Sequence, residues 1–425
     1  LRQLAGIRRA KAQQVESYFG NLRNHIITLS MDRMMIDAMR EFRQSFRELD
    51  GPAPDPVQAE NLRLFYESDY LSRLGKLMPM LRPHHEYLPA GRAPYYLQHH
   101  YIVKNPFPRD QRDQLNRAGD GSAYSRVHQK YHSSFRRVAR QFGYYDFFLI
   151  DSETGRVVYS VAKQPDFATS LIDGPYRDTG LGRAFLASRN DSNPDEAQLV
   201  DFAPYEPTLG APAAFISNSI YDGSKRVGVI VFQFSIHELD RMVSGDHGWE
   251  RDGLGKTGDT GIVGPDYLLR TNSRGYVNDP EGHIRRMRAR GVPEATLQRI
   301  GAYQTTALQQ EVRLPSVEAA LAGKEGQGVQ IGSSGGRSLI SYGPLRIPGL
   351  HWTVAARMDE SEALLAIVKM RNLIRIWISM LLFLVAASAA LATRAIVRPV
   401  QRLASAAARV SVGDLTVQVP VVSKD

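Results

Sequence analysis

Two glycine-rich motifs carry residue types that could bind phosphate or supply a nucleophile. Residues 253–258 (GLGKTG) satisfy G-x-G-x-x-G, but that motif must follow a strand and open a helix, whereas a strand pattern comes directly after it. Residues 332–336 (GSSGG) satisfy G-x-S-x-G, which must lead from a strand into a helix. Here a second strand pattern follows instead. Both motifs are therefore predicted to be turns, and we expect no catalytic residue at either.

Histidine pairs are the next candidates for chemistry. His84-His85 and His99-His100 are adjacent, so their side chains point apart in a helix or strand and make poor chelates. His128 and His132 share a helix face, but Gln129 stands where an H-E-x-x-H motif needs glutamate. Cysteine is absent, which removes disulfides and thiolate ligands. The sequence predicts neither a metal site nor a cofactor.

Tyrosines and charged residues between positions 144 and 205 offer the chemistry of ligand binding. Tyrosine can close an apolar wall while presenting a hydroxyl, and acids beside aromatic rings suit an amine or ammonium group. Lys163 or Arg177 could instead bind a carboxylate. The alternative is that most of these tyrosines are half-buried sheet residues. The candidate ligand-binding residues are Tyr144, Asp146, Tyr159, Lys163, Asp166, Asp173, Tyr176, Asp201 and Tyr205.

Hydrophobic periodicity predicts an α+β chain that positions these residues. Apolar residues three and four apart predict one long helix over residues 7–49. Strands then occur in two groups, each interrupted by helical sequence. Asp178 or Thr179 is predicted to cap the short helix within the first group. The predicted strands are residues 144–150, 157–161, 200–203, 213–221 and 226–234 in the first group, and 260–263, 268–271, 328–331, 338–345 and 351–357 in the second.

Residues 376–392 contain no charge and lie between Arg375 and Arg394. At about 1.5 Å per residue they would rise roughly 25 Å, near the lower limit for crossing a hydrocarbon core of about 30 Å. A buried helix of a soluble protein is the alternative. We expect a membrane span, and lipid as a partner. The arginines at both ends leave the orientation undecided by charge.

A second apolar pattern follows the predicted span. Residues at steps of four, three, four and three predict a coiled-coil seam, with Pro399 in the first turn of its helix. Gly413 is predicted to end that helix. The residues predicted to transmit a signal are Ile396, Pro399, Val400, Leu403, Ala407, Val410, Gly413, Asp414 and Leu415.

The chain has 425 residues, a length that suits two or three domains. Its net charge is +9, yet no basic run is interleaved with aromatic residues, so nucleic-acid binding is not expected. It opens on Leu1 without a signal-peptide pattern and stops at Asp425 inside a motif. We therefore expect a fragment that lacks both ends.

Several blocks carry a family resemblance. LQHHYIVKNPFP, AYSRVHQKYHSSFRRVARQFGYYDFFLID, GRVVYSVAKQPDFATSLIDGPYRDTGL, FAPYEPTLGAPAAFISNSIYDGSKRVGVIVFQ and GLGKTGDTGIVGPDYLLRTNSR resemble double-Cache sensor domains of bacterial receptors. IVRPVQRL and GDLTVQVP resemble a HAMP linker. The resemblance implies a spine helix (1–50), a membrane-distal PAS-like Cache unit (51–245), a membrane-proximal one (246–359), an exit helix (360–375), a transmembrane helix (376–392) and the start of HAMP (393–425).

The same resemblance implies a function. It predicts a dimeric receptor of the bacterial inner membrane, with residues 1–371 outside the cytoplasm and 393–425 inside. A small molecule would be sensed and the signal passed to a missing chemoreceptor, cyclase, phosphatase or kinase output. The distal unit lacks the Arg-x-Trp pattern followed by Tyr that amino-acid-binding double-Cache domains carry. A membrane-anchored periplasmic enzyme and a sensor that reads a periplasmic binding protein remain alternatives.

Overall fold

The computed structural model describes residues 1–78, 82–332, 335–414 and 416–418, with only the backbone for 366–369. It divides into two compact units, Leu1–Asp359 and Glu360–Asp425. The first unit contains two antiparallel sheets and most of the helices, and the second is a long helical segment. The predicted α+β class is confirmed.

The first unit opens with two helices where the sequence predicted one over residues 7–49. Helix α1 (Arg2–Ser30) ends at Met31, and α2 (Arg33–Glu48) begins after Asp32. The break occurs because the Asp32 carboxylate accepts a hydrogen bond from the backbone N–H of Met34 at 2.8 Å, the geometry of an N-cap. The predicted apolar stripe of α1 is buried nevertheless, at Val15, Phe19, Leu22 and Ile26.

Helices cover the first sheet on both faces. Two of them contain π-turns, which carry one extra residue per turn. The bounds in chain order are α3 (Pro56–Leu64), a π segment (Phe65–Tyr70), α4 (Leu71–Leu77), α5 (Arg92–Gln98), a π segment (His99–Val103), α6 (Ala123–Gln141), α7 (Gly180–Asn190) and α8 (Ile236–Ser244). Short 3₁₀ turns lie at His84–Glu86, Arg109–Gln114 and Glu206–Thr208. Of the two predicted caps for α7, Thr179 is the one whose side chain accepts from the backbone, at Gly182.

The distal sheet has five antiparallel strands in the order β2-β1-β5-β4-β3. Residues along β1 alternate between two apolar cores: Phe147 and Leu149 face the core that α1, α2 and α6 build, and Phe148 and Ile150 face the other. The ladder of β1 against β5 shifts register next to Asp146. The strands are β1 (Tyr144–Asp151), β2 (Val157–Ser160), β3 (Gln198–Tyr205), β4 (Ala211–Asp222) and β5 (Lys225–Phe234).

The proximal sheet has four antiparallel strands in the order β6-β9-β8-β7. Its strands are β6 (Asp259–Val263), β7 (Gly326–Ile331), β8 (Arg337–Pro344) and β9 (Thr353–Asp359). Four helices lie between β6 and β7: α9 (Arg274–Asn278), α10 (Pro280–Ala289), α11 (Glu294–Tyr303) and α12 (Pro315–Leu321). Phe19 of α1 meets Trp352 with ring centroids 5.5 Å apart and Phe234 of the distal sheet at 5.8 Å. Helix α1 therefore joins the two sheets through one core.

The strand predicted over residues 268–271 is wrong. This segment makes only isolated bridges, from Leu269 to Val263 and from Leu268 to Glu311. Its backbone hydrogen bonds go to two different segments: the Arg270 N–H donates to the Ile262 carbonyl, and the Leu269 N–H donates to the Gln310 carbonyl. A regular ladder therefore does not form, and the buried Arg270 side chain makes ion pairs with Asp201 at 2.8 Å and Asp266 at 2.9 Å.

The second unit is helical from Glu360 to Ser411. Helix α13 (Glu360–Ala392) passes through the predicted boundary at 375 without a break, a π segment (Thr393–Val397) follows, and α14 (Arg398–Ser411) continues. Pro399 lies in the first turn of α14, as predicted, although this helix follows α13 through the π segment without a break. Proline has no N–H to donate, and the turn before it is widened, with Arg398 N–H bonded to Thr393 O.

Candidate ligand-binding site

Asp146 anchors a buried polar group where strand β1 meets the edge strand β2 of the distal sheet. Strand β1 places its carboxylate against the end of β2, where it accepts four hydrogen bonds. The donors are the backbone N–H groups of Phe147 (2.7 Å), Val161 (2.7 Å) and Ala162 (3.0 Å) and the hydroxyl of Ser160 (2.8 Å). Burial raises the pKa of Asp146, while these hydrogen bonds oppose the increase. These four hydrogen bonds make Asp146 an anchor for the loop after β2.

Lys163 follows on that loop and is fully enclosed. Its backbone is left-handed, with φ of 55°, and its ammonium donates to the backbone carbonyl of Ser160. Three aromatic rings surround the ammonium: Tyr159 at 4.5 Å, Phe167 at 5.0 Å and Tyr101 at 5.7 Å from the ring centroids. Burial lowers the pKa of Lys163, against the opposing charge of Asp146. The aromatic box that would suit a ligand amine is thus filled by the chain's own ammonium.

Asp166 lies deeper and has only one of its two oxygens paired. Tyr205, at the end of β3, donates its hydroxyl to Oδ2, while Oδ1 is buried and has no hydrogen-bond partner among the described residues. The hydroxyls of Tyr70 and Tyr176 are also buried; they are neighbours, but neither makes a hydrogen bond of normal geometry within the described residues. Unpaired buried polar atoms are rare in proteins and call for a water or a ligand. We use the name distal chamber for the buried polar group formed by Asp166, Tyr205, Tyr176, Tyr66 and Tyr70.

Burial is the main cause of the unusual electrostatics in the distal chamber. It raises the pKa of Asp166 to about 8, with the negative charge of Asp146 adding to the increase and the Tyr205 hydroxyl opposing it. The pKa values of Tyr176 and Tyr205 are raised well above their usual range, again chiefly by burial. At neutral pH the chamber therefore holds a largely protonated acid among phenols. Such a set can donate and accept hydrogen bonds but lacks an activated nucleophile.

Three residues of this region were missed from the sequence: Tyr66, Tyr70 and Gln98. Tyr66 donates its hydroxyl to Gln98 Oε1 at 3.0 Å, and Gln98 Nε2 donates to the carbonyls of Pro165 and Phe167 at 2.9 and 2.7 Å. These bonds hold the loop that carries Asp166. The π segment Phe65–Tyr70 brings both tyrosines inward. Their spacing of four residues was a usable signal, since such residues share a helix face.

The remaining predicted residues lie elsewhere. The Tyr144 hydroxyl is 2.7 Å from His25 Nδ1, on the α1 side of the sheet. The Tyr159 hydroxyl is 2.7 Å from His132 Nδ1, and its ring forms one wall of the Lys163 box. Asp173 is exposed at a surface basin, and Asp201 pairs with Arg270. The structure thus brings Asp166, Tyr176 and Tyr205 together and separates Tyr144, Asp173 and Asp201 from them.

The motifs declined as catalytic sites have structural partners of their own. His132 uses both ring nitrogens, the second at 2.6 Å from Asp113 O, and burial lowers its pKa to about 3. His128 stacks on it with ring centroids 4.3 Å apart. Within the described residues, no group of three or more His, Asp or Glu side chains could hold a metal ion. The motif over residues 253–258 leads into strand β6, as predicted.

The second unit carries an unpartnered apolar stripe. On α14, Val400, Leu403 and Val410 are 57, 55 and 45% exposed, and Ile396 in the π segment before it is 63% exposed. Ala407 is exposed as well. Gly413, with φ of 94°, follows the end of the helix at the position where a left-handed glycine is common. Asp414 next accepts from Arg409 Nη2 at 2.6 Å, and Leu415 lies outside the described residues.

The exposed stripe lies within residues 391–425, which match the family model of the HAMP domain. The C-terminal segment is a HAMP domain. One helix among the described residues, Glu360–Ser411, is long and apolar enough to cross a membrane, and none of its most apolar window is buried. Its C-terminal part belongs to the HAMP match. The order of long helix, two antiparallel sheets, apolar helix and HAMP is the one that the double-Cache and HAMP resemblance implies.

The solved structures that the chain matches include three ligand-binding or sensor domains. The Pseudomonas fluorescens chemoreceptor CtaA ligand-binding domain, in complex with L-serine, is 12% identical, with 72% of this chain and 93% of that chain covered and a TM-score of 0.32. The Pseudomonas aeruginosa PAO1 amino acid chemoreceptor PctB, with L-Arg, is 12% identical, covering 74% and 89%, at 0.35. The V. cholerae histidine kinase DctB sensor domain is 12% identical, covering 72% and 97%, at 0.32. No curated protein matches the chain.

Proposed function

We propose that this chain is the sensing and membrane-spanning part of a receptor of the bacterial inner membrane. Residues 1–359 lie outside the cytoplasm and detect a small molecule, and the HAMP domain passes the signal to a cytoplasmic output. The observation that carries this proposal is the HAMP match immediately after an exposed apolar helix. That helix begins at Glu360, directly after the last strand of the proximal sheet. A change in the sensing unit therefore has a covalent route into the HAMP helix.

The distal chamber is the proposed ligand site. Asp166 Oδ1 and the hydroxyls of Tyr70 and Tyr176 are buried polar atoms without partners in the described chain, and each costs roughly 1–3 kcal/mol while unpaired. A small polar molecule that hydrogen-bonds these three atoms removes that cost. Binding biases signalling only if the ligand has different affinities for two arrangements of the receptor. The π segment Phe65–Tyr70 is the element that would differ between them.

A second copy of the chain is the proposed partner of the HAMP helix. The stripe formed by Ile396, Val400, Leu403, Ala407 and Val410 follows a heptad spacing and is exposed in the single chain. Sustained apolar heptad positions are stable when a partner helix covers them. A homodimer with a twofold axis along the HAMP helix satisfies this requirement.

A ligand screen on the full chain tests the proposal. The chain, in nanodiscs, is heated with a panel of small metabolites, and the melting temperature of the sensing unit is recorded. Ligand that binds the folded state raises this temperature. We expect at least one metabolite whose shift is lost in Asp166→Asn and kept in Asp173→Asn, the matched change at an exposed aspartate. Shifts that survive Asp166→Asn, or no shift with any metabolite, would contradict direct sensing in the distal chamber.

A further inference from the structure

The proximal sheet has a cavity of its own on the face turned away from α1. Strand β9 alternates, so that Ala356 packs beside Leu4 of α1 while Ala355 and Arg357 line the cavity. Strand β6 contributes every second residue, Asp259, Gly261 and Val263, to the same face. The cover consists of Leu269, Val312, Leu314 and Val317. The result is a mainly apolar space with a carboxylate at the start of β6.

Asp259 is the unusual feature of this cavity. Its side chain is 11% exposed, and Oδ2 accepts a hydrogen bond from the backbone N–H of Arg274 at 3.1 Å. Oδ1 is buried and unpaired among the residues that the structure describes. The Arg357 guanidinium is 3.9 Å from Oδ2, beyond hydrogen-bond distance. Burial raises the pKa of Asp259, although Arg357 and Arg274 oppose the increase. Among the described residues, the free oxygen therefore has no hydrogen-bond donor, and the nearby arginine charges only partly compensate the carboxylate.

The Asp259 carboxylate lacks a cation at hydrogen-bond distance, although Arg357 also lines the cavity. Arg357 is 35% exposed in its side chain, so water can solvate its guanidinium without help from a ligand. Asp259 has no such access, and a buried carboxylate is costly until it is paired. An anionic ligand would meet a hydrated arginine and a buried carboxylate of its own sign. A cationic ligand would meet the unpaired oxygen directly.

The size of the cavity limits the ligand further. About 70 Å³ is open to the centres of water molecules, and one water-sized position needs about 10–15 Å³ by this measure. The space therefore holds about five to seven such positions. A chain of about five non-hydrogen atoms fills it, with its apolar part against Val263, Leu269 and Val317.

We infer that the proximal unit binds a short aliphatic ammonium ion, with the ammonium on Asp259 Oδ1 and the alkyl chain in the apolar part of the cavity. This site is separate from the distal chamber, because its lining residues all come from the segment after β5. Binding here does not depend on a ligand in the distal chamber. In the chain, the proximal unit directly precedes helix α13, so a ligand bound here offers a second input to the signal.

The test uses the full chain in nanodiscs and n-butylammonium as the probe, with calorimetric titration as the readout. The neutral isostere n-butanol and the anion butyrate serve as ligand controls. Asp259→Asn removes the charge at nearly constant volume and is expected to weaken butylammonium binding at least tenfold. Asp173→Asn, the matched change at an exposed aspartate, is expected to leave butylammonium binding unchanged.

A second variant protects the test from a folding defect. An added methyl in Gly261→Ala lies 3.6 Å from Leu269 Cδ2, an ordinary contact, and the glycine has no left-handed backbone. This variant narrows the cavity and keeps Asp259, so butylammonium binding should weaken while the melting temperature stays the same. Equal affinity for butanol and butylammonium, unchanged binding in both Asp259→Asn and Gly261→Ala, or no binding of butylammonium to the unmodified chain would overturn the inference.

Discussion

At the scale of single residues, three buried aspartates differ in how completely their carboxylates are hydrogen-bonded. Asp146 accepts four hydrogen bonds and holds a loop. Asp166 and Asp259 each have one oxygen without a partner in the described structure. A fully paired carboxylate stabilises the fold, whereas an incompletely paired one keeps a binding capacity at the expense of stability. The two incomplete ones are the ligand-site candidates.

The titration of Asp166 gives a pH prediction with a definite sign. Its folded-state pKa, about 8, lies above the value of about 3.9 for an unfolded chain. Its contribution to stability is therefore fully present below about pH 4 and is lost as the pH rises to about 8, by at most about 1.4 kcal/mol per pH unit. Asp166→Asn should lose less stability than the unmodified chain across this window. Melting temperatures of both proteins between pH 5 and 8 check this, and parallel curves would contradict it.

Loss of a hydrogen-bonded tyrosine hydroxyl and loss of an unpaired one should change the stability of the fold in opposite directions. Tyr70→Phe removes a buried group without a partner in the described residues and should stabilise the ligand-free protein by about 1 kcal/mol. Tyr205→Phe removes the donor to Asp166 and should destabilise it by about 1–3 kcal/mol. Denaturant titration of the full chain measures both. A loss of stability in Tyr70→Phe equal to that in Tyr205→Phe would show that the Tyr70 hydroxyl is paired.

Residue types alone predicted part of this chemistry. The composition between positions 144 and 205 pointed to Asp166, Tyr176 and Tyr205, which do lie together. It gave no reason to separate Asp146 from Asp166, because the difference arises from backbone N–H groups that only the folded loop brings near. Nor did it point to Asp259, whose unpaired oxygen depends on the cover that lies over β6.

At the scale of elements, periodicity located most helices and strands but not their interruptions. The α1 stripe continues almost in phase into α2, so the pattern concealed the break that Asp32 produces by capping. The segment 268–271 has strand-like residues, yet its neighbours on two sides divide its hydrogen bonds. The π segment before Pro399 is likewise invisible to a heptad count. In each case local hydrogen bonds, which composition does not encode, determined where the helix or strand was interrupted.

Pro399 should set the rotation of the HAMP stripe relative to the span. Pro399→Ala restores an N–H and favours an α-turn in place of the π-turn, which rotates the following residues by roughly 100°. The chain has no cysteine, so single cysteines along α14 report dimer contacts through disulfide formation. Cross-linking should be greatest at Leu403→Cys and its heptad relatives, and it should move to a neighbouring position in Pro399→Ala. An unchanged pattern would contradict a role for the π-turn.

At the scale of the whole molecule, the order of units was predictable and their internal details were not. The uncharged run over residues 376–392 and the heptad after it were strong signals, because few other structures have both. The two groups of strand patterns likewise predicted two sheets. The shared core of α1, Phe234 and Trp352 was not predictable, since it joins residues far apart in sequence.

Membrane topology is the most direct test of the central claim, that residues 1–359 and the HAMP domain lie on opposite sides of a membrane. Asp173→Cys and Arg402→Cys each introduce one exposed thiol into a chain without cysteine. Intact cells expressing either variant are treated with a membrane-impermeant maleimide. We predict labelling of Asp173→Cys in intact cells, and of Arg402→Cys only after lysis. Equal labelling of both variants before lysis, or the reverse pattern, would contradict the account.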